Sequence, residues 1–222
     1  TYRLPSFNDL YYNSIGNSNL KSENAESLNL GLTYGFKKND WTIQTTTDMY
    51  RNSITDKIVA IPTKNLFNWS MQNIGNVLSH GIDFNVFYAI KKNNISLHLT
   101  TSQSLNKSVD VTNLNSPTYG HQIPYTPIYN GNYTISLGYY KTYLSVTTLH
   151  SGKRYVLNEN IDFNKLPGFI DLSCSVSRTL FFKKQKLYIN LQAANLLNNN
   201  YEVIKSFPMP GRYYRIKLIY NL

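Results

Sequence analysis

The chain has 222 residues, a formal net charge of +10 and 19 tyrosines. No stretch approaches the roughly 18 apolar residues of a membrane helix, which excludes helical spans and leaves β spans open, since their apolar residues occupy alternate positions. An aromatic content of 14% argues against disorder.

In a cytoplasmic chain such a basic balance would point to nucleic acid. Here the cations form no stripe. Many stand in pairs at turns, at Lys37-Lys38, Lys91-Lys92 and Lys183-Lys184. Solvated turns are the plain reading; attraction of anionic lipopolysaccharide or an anionic solute is the functional one, and no nucleic-acid partner is expected. The single cysteine, Cys174, allows no internal disulfide and lies in an alternating run, as a small buried or lipid-facing residue does.

The first 24 residues precede the regular alternation. From there period two dominates, the pattern of a strand whose successive side chains point to opposite faces. The predicted strands are 25–36, 40–52, 75–91, 94–106, 127–139, 142–153, 168–180, 185–196 and 211–222. In the first, Leu28, Leu30, Leu32, Tyr34 and Phe36 share a face. In the third, Ile82, Phe84, Val86, Tyr88 and Ile90 oppose Asp83, Asn85 and Lys91. In the last, Tyr214, Ile216, Leu218, Tyr220 and Leu222 oppose Tyr213, Arg215, Lys217, Ile219 and Asn221. Soluble strands average about 5–6 residues, whereas a tilted membrane strand needs about 9–11. The lengths therefore favour an all-β, antiparallel transmembrane barrel over a soluble sandwich or soluble barrel, the alternative.

The connections alternate between short and long. Short ones fall at Lys37-Lys38-Asn39-Asp40, Lys91-Lys92-Asn93-Asn94, near Tyr140-Lys141 and near Phe181 to Lys184; long ones cover 53–74, 107–126, 154–167 and 197–210. Outer-membrane barrels have this asymmetry, with short periplasmic turns and long external loops. The C-terminus is then periplasmic and residues 1–24 are extracellular. Nine strands is an odd number, and an open edge in lipid is not viable, so at least one further strand is expected upstream. The opening Thr1-Tyr2-Arg3-Leu4-Pro5 carries no initiating methionine, basic region or apolar leader. The chain reads as cut from something longer.

Four stretches carry a resemblance. Thr1-Tyr2-Arg3-Leu4-Pro5-Ser6-Phe7-Asn8-Asp9-Leu10-Tyr11 resembles a barrel motif of TonB-dependent outer-membrane receptors. Gly16-Asn17-Ser18-Asn19-Leu20-Lys21-Ser22-Glu23 is similar to that family's "GNPNLKPE" pattern, with Ser18 and Ser22 where proline is commoner. Asn73-Ile74-Gly75-Asn76 followed by Gly81-Ile82-Asp83 resembles "NxGxxxxxGxE", with Asp83 in place of glutamate. Asn195-Leu196-Leu197-Asn198-Asn199-Asn200-Tyr201 with Pro210-Gly211-Arg212 resembles the closing "NLxNxxY…PGR". The four occur in the family's order across nearly the whole chain. The terminal residue, Leu222, departs from the aromatic residue common there.

The resemblance implies that residues 1–222 are the C-terminal part of a barrel of about 22 strands, supplying roughly its last nine. The N-terminal plug, the upstream strands and the motif that meets the energy-coupling protein are absent from these residues. Implied partners are the protein's own plug and upstream strands, the TonB energy-coupling system through the missing region, lipopolysaccharide and outer-membrane lipid, and the barrel-assembly machinery. The implied location is the bacterial outer membrane.

No hydrolytic constellation or metal-ligand spacing is present, so no catalytic residue, metal or cofactor is expected. Of His80, His98, His121 and His150, His121 is the most interesting, because it lies in a long external loop near Tyr119 and Tyr125. A haem ligand is conceivable there. Receptors for haem, however, often carry a histidine between the first two motifs, and the segment from Ser6 to Gly16 has none. Candidate ligand contacts are Tyr11, Tyr12, His121 and Tyr125, with girdle or ordinary loop roles as the bland reading. Tyr34, Phe36, Tyr88 and Tyr220 are better placed for the periplasmic girdle. Arg212 and Arg215 are expected to make structural pairings in the lumen, Arg215 with an acidic group, because a cation facing lipid at the midplane of a barrel costs about 2–4 kcal/mol.

Three functions then compete: energised uptake of a scarce bulky solute, with a ferric siderophore ahead of cobalamin; a passive porin or structural barrel; and a soluble β-domain binding module.

Overall fold

The computed structural model describes residues 1–63, 68–182 and 185–221. The Lys183-Lys184 pair and Leu222 lie outside the described residues. In chain order the elements are β1 (Tyr2–Arg3), helix α1 (Phe7–Tyr11), β2 (Glu23–Lys38), β3 (Trp41–Thr55), β4 (Ile58–Pro62), β5 (Trp69–Asn73), β6 (Val77–Lys92), β7 (Ile95–Asp110), β8 (Tyr129–Tyr139), β9 (Thr142–Ser151), β10 (Arg154–Tyr155), a 3-10 turn (Asp162–Asn164), β11 (Lys165–Leu166), β12 (Phe169–Phe182), β13 (Gln185–Ala194), β14 (Glu202–Ile204), β15 (Phe207–Pro208) and β16 (Tyr213–Asn221).

Ten of the strands form one antiparallel sheet in the order β1-β2-β3-β6-β7-β8-β9-β12-β13-β16. It is a meander, and nine of its members are the nine strands read from the alternation. The tenth, β1, pairs Tyr2 with Asn24 and Arg3 with Glu23, so the segment read as purely external begins with a strand. The ladders also run past the predicted ends. The β6–β7 ladder continues to Val77 opposite Asp110, because backbone pairing does not stop where the apolar alternation gives way to Lys107, Ser108 and Asp110.

Two-residue connections at Asn39-Asp40, Asn93-Asn94 and Tyr140-Lys141 lie at one end of the sheet. Asn39, Asn93 and Tyr140 each have a φ near +50°, at 50°, 54° and 51°. Asparagine enters this left-handed region more readily than most residues. The paired lysines at 37–38 and 91–92 are the last residues of their strands rather than the turns themselves. The opposite end carries the long connections. Three of them fold into two-stranded ribbons, β4–β5, β10–β11 and β14–β15.

Register sorts the side chains onto two faces. Leu30, Met49, Ile82 and Leu105 are successive cross-strand neighbours on one, and Ala193 with Tyr214, Leu191 with Ile216 and Ile189 with Leu218 continue that face at the far edge. The other face is rich in small polar residues. Across it Thr134 and Thr147 hydroxyls meet at 3.0 Å, Ser136 and Ser145 at 2.7 Å, and Asn85 Nδ2 donates to Thr46 Oγ1 at 3.2 Å.

The apolar face has nothing against it: Leu28, Leu30 and Leu32 are 74%, 70% and 72% exposed. The buried apolar residues lie elsewhere. Ile58, Val77, Val109, Ile123, Val156, Leu166 and Ala194 all belong to the long connections or to the strand ends that adjoin them. The spanning part of the sheet thus has no core of its own. A sheet whose apolar side packs on nothing is stable where an apolar medium covers that side, and contiguous exposed apolar area on this scale is foreign to soluble monomers.

Candidate ligand-binding site

The long-connection end is built by the residues that carry the motifs. Pro5 and Ser6 start helix α1. Ser6 Oγ accepts the Asp9 N–H at 3.2 Å while Asp9 Oδ2 accepts the Ser6 N–H at 2.9 Å, a capping box. The same Asp9 oxygen takes Arg3 Nη2 at 2.8 Å, and Arg3 Nη1 reaches Glu23 Oε1 at 2.8 Å. Burial works against the Asp9 charge, but the Ser6 hydrogen bonds and the Arg3 guanidinium outweigh it and hold the carboxyl below its usual range. Glu23 Oε1 also accepts the Ile58 N–H at 2.6 Å. Burial pushes the neighbouring Lys57 ammonium below its usual range, against the attraction of Glu23.

The second and third motifs lock onto each other. Asn17 Nδ2 donates to the Met71 carbonyl at 3.0 Å, and the Met71 N–H to the Ile15 carbonyl at 2.9 Å. Asn73 Oδ1 accepts the Lys21 N–H at 2.9 Å, while its Nδ2 donates to the carbonyls of Lys21 and Asp56 at 3.1 and 2.6 Å. A Cβ on Gly16 would lie 2.6 Å from the Tyr12 nitrogen, and Gly75 has a φ of +71°, so both positions demand glycine.

The closing motif does the same for the last long connection. Asn195 is fully buried, and its side chain holds the Asn199 N–H at 3.0 Å, the Asn199 carbonyl at 2.9 Å and the Pro210 carbonyl at 3.1 Å. Tyr201 donates to Asp171 Oδ2 at 2.8 Å. Arg212 donates through Nε and Nη2 to the Leu196 carbonyl at 3.0 and 2.6 Å, a neutral oxygen rather than an acid. Arg215 lies on the polar face opposite Gln192, with Nη2 3.3 Å from the Tyr213 hydroxyl. Neither arginine has an acidic partner among the described residues.

The four candidate contacts all lie at the long-connection end but do not converge. Tyr11 and Tyr12 are exposed at the end of α1, Tyr11 beside the Phe7 ring at 5.2 Å. His121 Nδ1 is 3.0 Å from the Asn158 carbonyl, which ties two long connections together. Asn158 in turn donates to Asp110 Oδ2 at 2.9 Å. Tyr125 sits at a φ of +57° with its ring 5.3 Å from that of Trp69. Burial pushes its phenol above the usual range; the Lys205 backbone and the Arg154 charge oppose this only in part. No ring contact or hydrogen bond joins two of the four among the described residues. No group of three or more His, Cys, Asp or Glu side chains there could hold a metal ion.

Arg154 and Trp69 escaped the reading of the sequence. With Tyr125, Pro127, Phe169 and Val203 they line a cavity of about 320 Å³. Arg154 is only 3% exposed. Nothing local marks it: it is one of many cations in the long connections, and the residues named around it stand 15 to 85 positions away in the chain.

The chain matches the family described as TonB dependent receptor-like, beta-barrel, over residues 1–196. It belongs to that family, and its place is the bacterial outer membrane, with the apolar face toward lipid. Over 87 residues it is 34% identical to the Vitamin B12 transporter BtuB of Vibrio vulnificus (strain YJ016), covering 39% of this chain and 14% of that protein. Its fold is similar to that of the copper transporter OprC, with a TM-score of 0.68 at 16% identity over 98% of this chain and 35% of the other. It is also similar to the ferric citrate transporter FecA in its unliganded form, with a TM-score of 0.70 at 13% identity over 90% of this chain and 32% of the other. The chain thus spans about a third of the length of these solved structures.

Proposed function

We propose that the chain is the C-terminal part of the barrel of an energised, TonB-dependent transporter that carries a scarce bulky solute across the outer membrane, and that this solute is a ferric siderophore. On this reading it supplies nine long strands and the short β1 to a barrel of about 22 strands. The plug and the upstream strands come from the rest of the protein, and the energy-coupling system acts through that missing region. The chain's role is to span, to enclose and to present loops to the solute, with no catalytic step. Lipopolysaccharide, outer-membrane lipid and the barrel-assembly machinery are its further partners.

The family match over residues 1–196 carries the proposal. The cargo assignment draws support from the basic balance of the chain, from the cationic and aromatic residues of the long-connection end, and from the fold shared with a ferric citrate transporter. A positive mouth concentrates anionic solutes, and flat apolar parts pack on exposed rings. Cobalamin is the second reading, favoured by the stretch shared with the transporter of Vibrio vulnificus.

The test is uptake by the full-length receptor in cells lacking other routes. Radiolabelled cobalamin and a panel of ferric siderophores are offered separately, with and without the coupling system. Coupling-dependent uptake of a ferric siderophore is the expected result. Coupling-dependent uptake of cobalamin alone ends the siderophore assignment. Equal uptake without coupling ends the energised reading and leaves a passive porin.

A further inference from the structure

Arg154 carries a charge that the described residues leave uncompensated. Its Nε donates to the Val203 carbonyl at 3.3 Å and its Nη2 to the Val203 and Glu202 carbonyls at 3.0 and 2.5 Å. Nη1 is buried and has no hydrogen-bond partner. A guanidinium has five N–H donors and Nη1 holds two of them. No carboxylate is within ion-pair distance among the described residues. The nearby Glu202 uses its Oε2 to accept the Ser206 N–H at 3.0 Å.

A buried cation without a counter-charge is costly, and buried unsatisfied donors are rare. The fold nevertheless holds this one firmly, since three hydrogen bonds from β10 to β14 set the guanidinium in place. Its surroundings are aromatic. The guanidinium carbon lies 5.6 Å from the centre of the Phe169 ring. Phe169 is itself stacked on Tyr201 at 4.1 Å and an interplanar angle of 12°. The Trp69–Tyr125 ring pair completes the wall. Arg154 is among the residues that line this cavity, and flat apolar surfaces beside an uncompensated guanidinium suit a flat apolar ligand that bears an oxyanion.

We propose that this cavity is a subsite for a planar organic carboxylate, whose negative charge compensates the Arg154 guanidinium in the cavity wall while its ring lies among Trp69, Tyr125 and Phe169. The inference rests on the uptake reading and deepens it, naming the part of the solute that this end of the barrel holds. Positions 69, 125, 154 and 169 come from four separate stretches of the chain, so the subsite exists only when the long connections are folded together.

The experiment uses the purified full-length receptor in detergent, with binding read by saturation-transfer NMR and calorimetry, so it needs no energy coupling and is independent of the uptake assay. The probes are 2-naphthoate and its neutral analogue 2-naphthamide. Expected is saturable binding of the naphthoate, at least tenfold weaker binding of the amide, and at least tenfold weaker naphthoate binding in Arg154→Gln, with Arg154→Lys in between. Heat-modifiable gel mobility reports whether each variant is folded; if Arg154→Gln does not fold, acid against amide on the unaltered receptor decides. Equal affinity for acid and amide overturns the proposal, as does unchanged naphthoate binding in folded Arg154→Gln. Absence of saturable naphthoate binding also overturns it, and is the result if a carboxylate from elsewhere in the receptor fills the site.

Discussion

Tyr201 donates its phenolic hydrogen to Asp171 Oδ2 at 2.8 Å and so ties the connection between β13 and β16 to the upper part of β12. Burial, the hydrogen bond and the negative charge of Asp171 together push this phenol up to about 12. A raised value in the folded state means that the protonated phenol is favoured by folding. The contribution is whole below the ordinary phenol value of about 10 and is lost as the pH rises through about 12. In alkaline titration followed by tyrosinate absorbance, Tyr201→Phe should remove one late-titrating phenol. The same variant should cost roughly 1–2 kcal/mol of local stability at neutral pH, read as faster hydrogen exchange in residues 195–212.

The Arg3 bridge predicts the opposite dependence. Asp9 titrates below its ordinary range in the folded protein, so its stabilising effect is present above the unfolded carboxylate value and is lost as the pH falls below about 4. Arg3→Ala leaves Asp9 and Glu23 without their cation and should loosen the knot of residues 1–23, 57–63 and 68–75 by roughly 1–2 kcal/mol. Limited proteolysis of intact cells should show earlier cutting in these segments, and the difference from the unaltered protein should shrink at pH 3.

Orientation is testable by surface labelling. Asn115 and Glu159 are exposed in long connections, and Asp40 and Asn94 are exposed in two-residue turns. These sites serve better than their neighbours. Asn158 holds Asp110, and Asn39 and Asn93 have positive φ, so cysteine there would disturb the backbone. Single cysteines at 115 and 159 should react with a membrane-impermeant maleimide on intact cells, and those at 40 and 94 only after lysis. The reverse pattern would invert the topology.

Two cations flank a histidine across three strands of the apolar face. Arg51 stands opposite His80, and His80 opposite Lys107, all three exposed on the apolar face. Two residues closer to the short turns lies the apolar row of Met49, Ile82 and Leu105. Exposed cations on a face turned to lipid suit phosphorylated headgroups, and the expected partner of Arg51 and Lys107 is lipopolysaccharide. Each contact is worth about 1 kcal/mol per Lys or Arg. Arg51→Glu with Lys107→Glu should therefore lower the unfolding temperature in membranes containing lipopolysaccharide and leave it nearly unchanged in detergent free of it. An equal loss in both media would assign the row a purely intramolecular role.

The long strands of the sheet are legible in the amino-acid order alone. Alternation is a property of each strand taken alone, so Leu28 to Phe36 or Tyr214 to Tyr220 declare their face without reference to any partner. The nine long strands and the short-against-long connections follow from the same local signal, whereas β1 and the three loop ribbons carry too few residues to show it. The motifs were equally legible as strings, but their meaning was not. That Arg3 serves Asp9 and Glu23, that Asn17 and Asn73 knit residues 15–21 to Asp56, Met71 and Asn73, and that Arg212 holds a carbonyl rather than an acid are facts of long-range pairing. The same holds for the cavity. Only the tertiary structure brought Trp69, Tyr125, Arg154 and Phe169 together, because a loop residue has no periodicity to announce its neighbours, and a buried charge is recognised as unpaired only once everything that could have paired with it is in place.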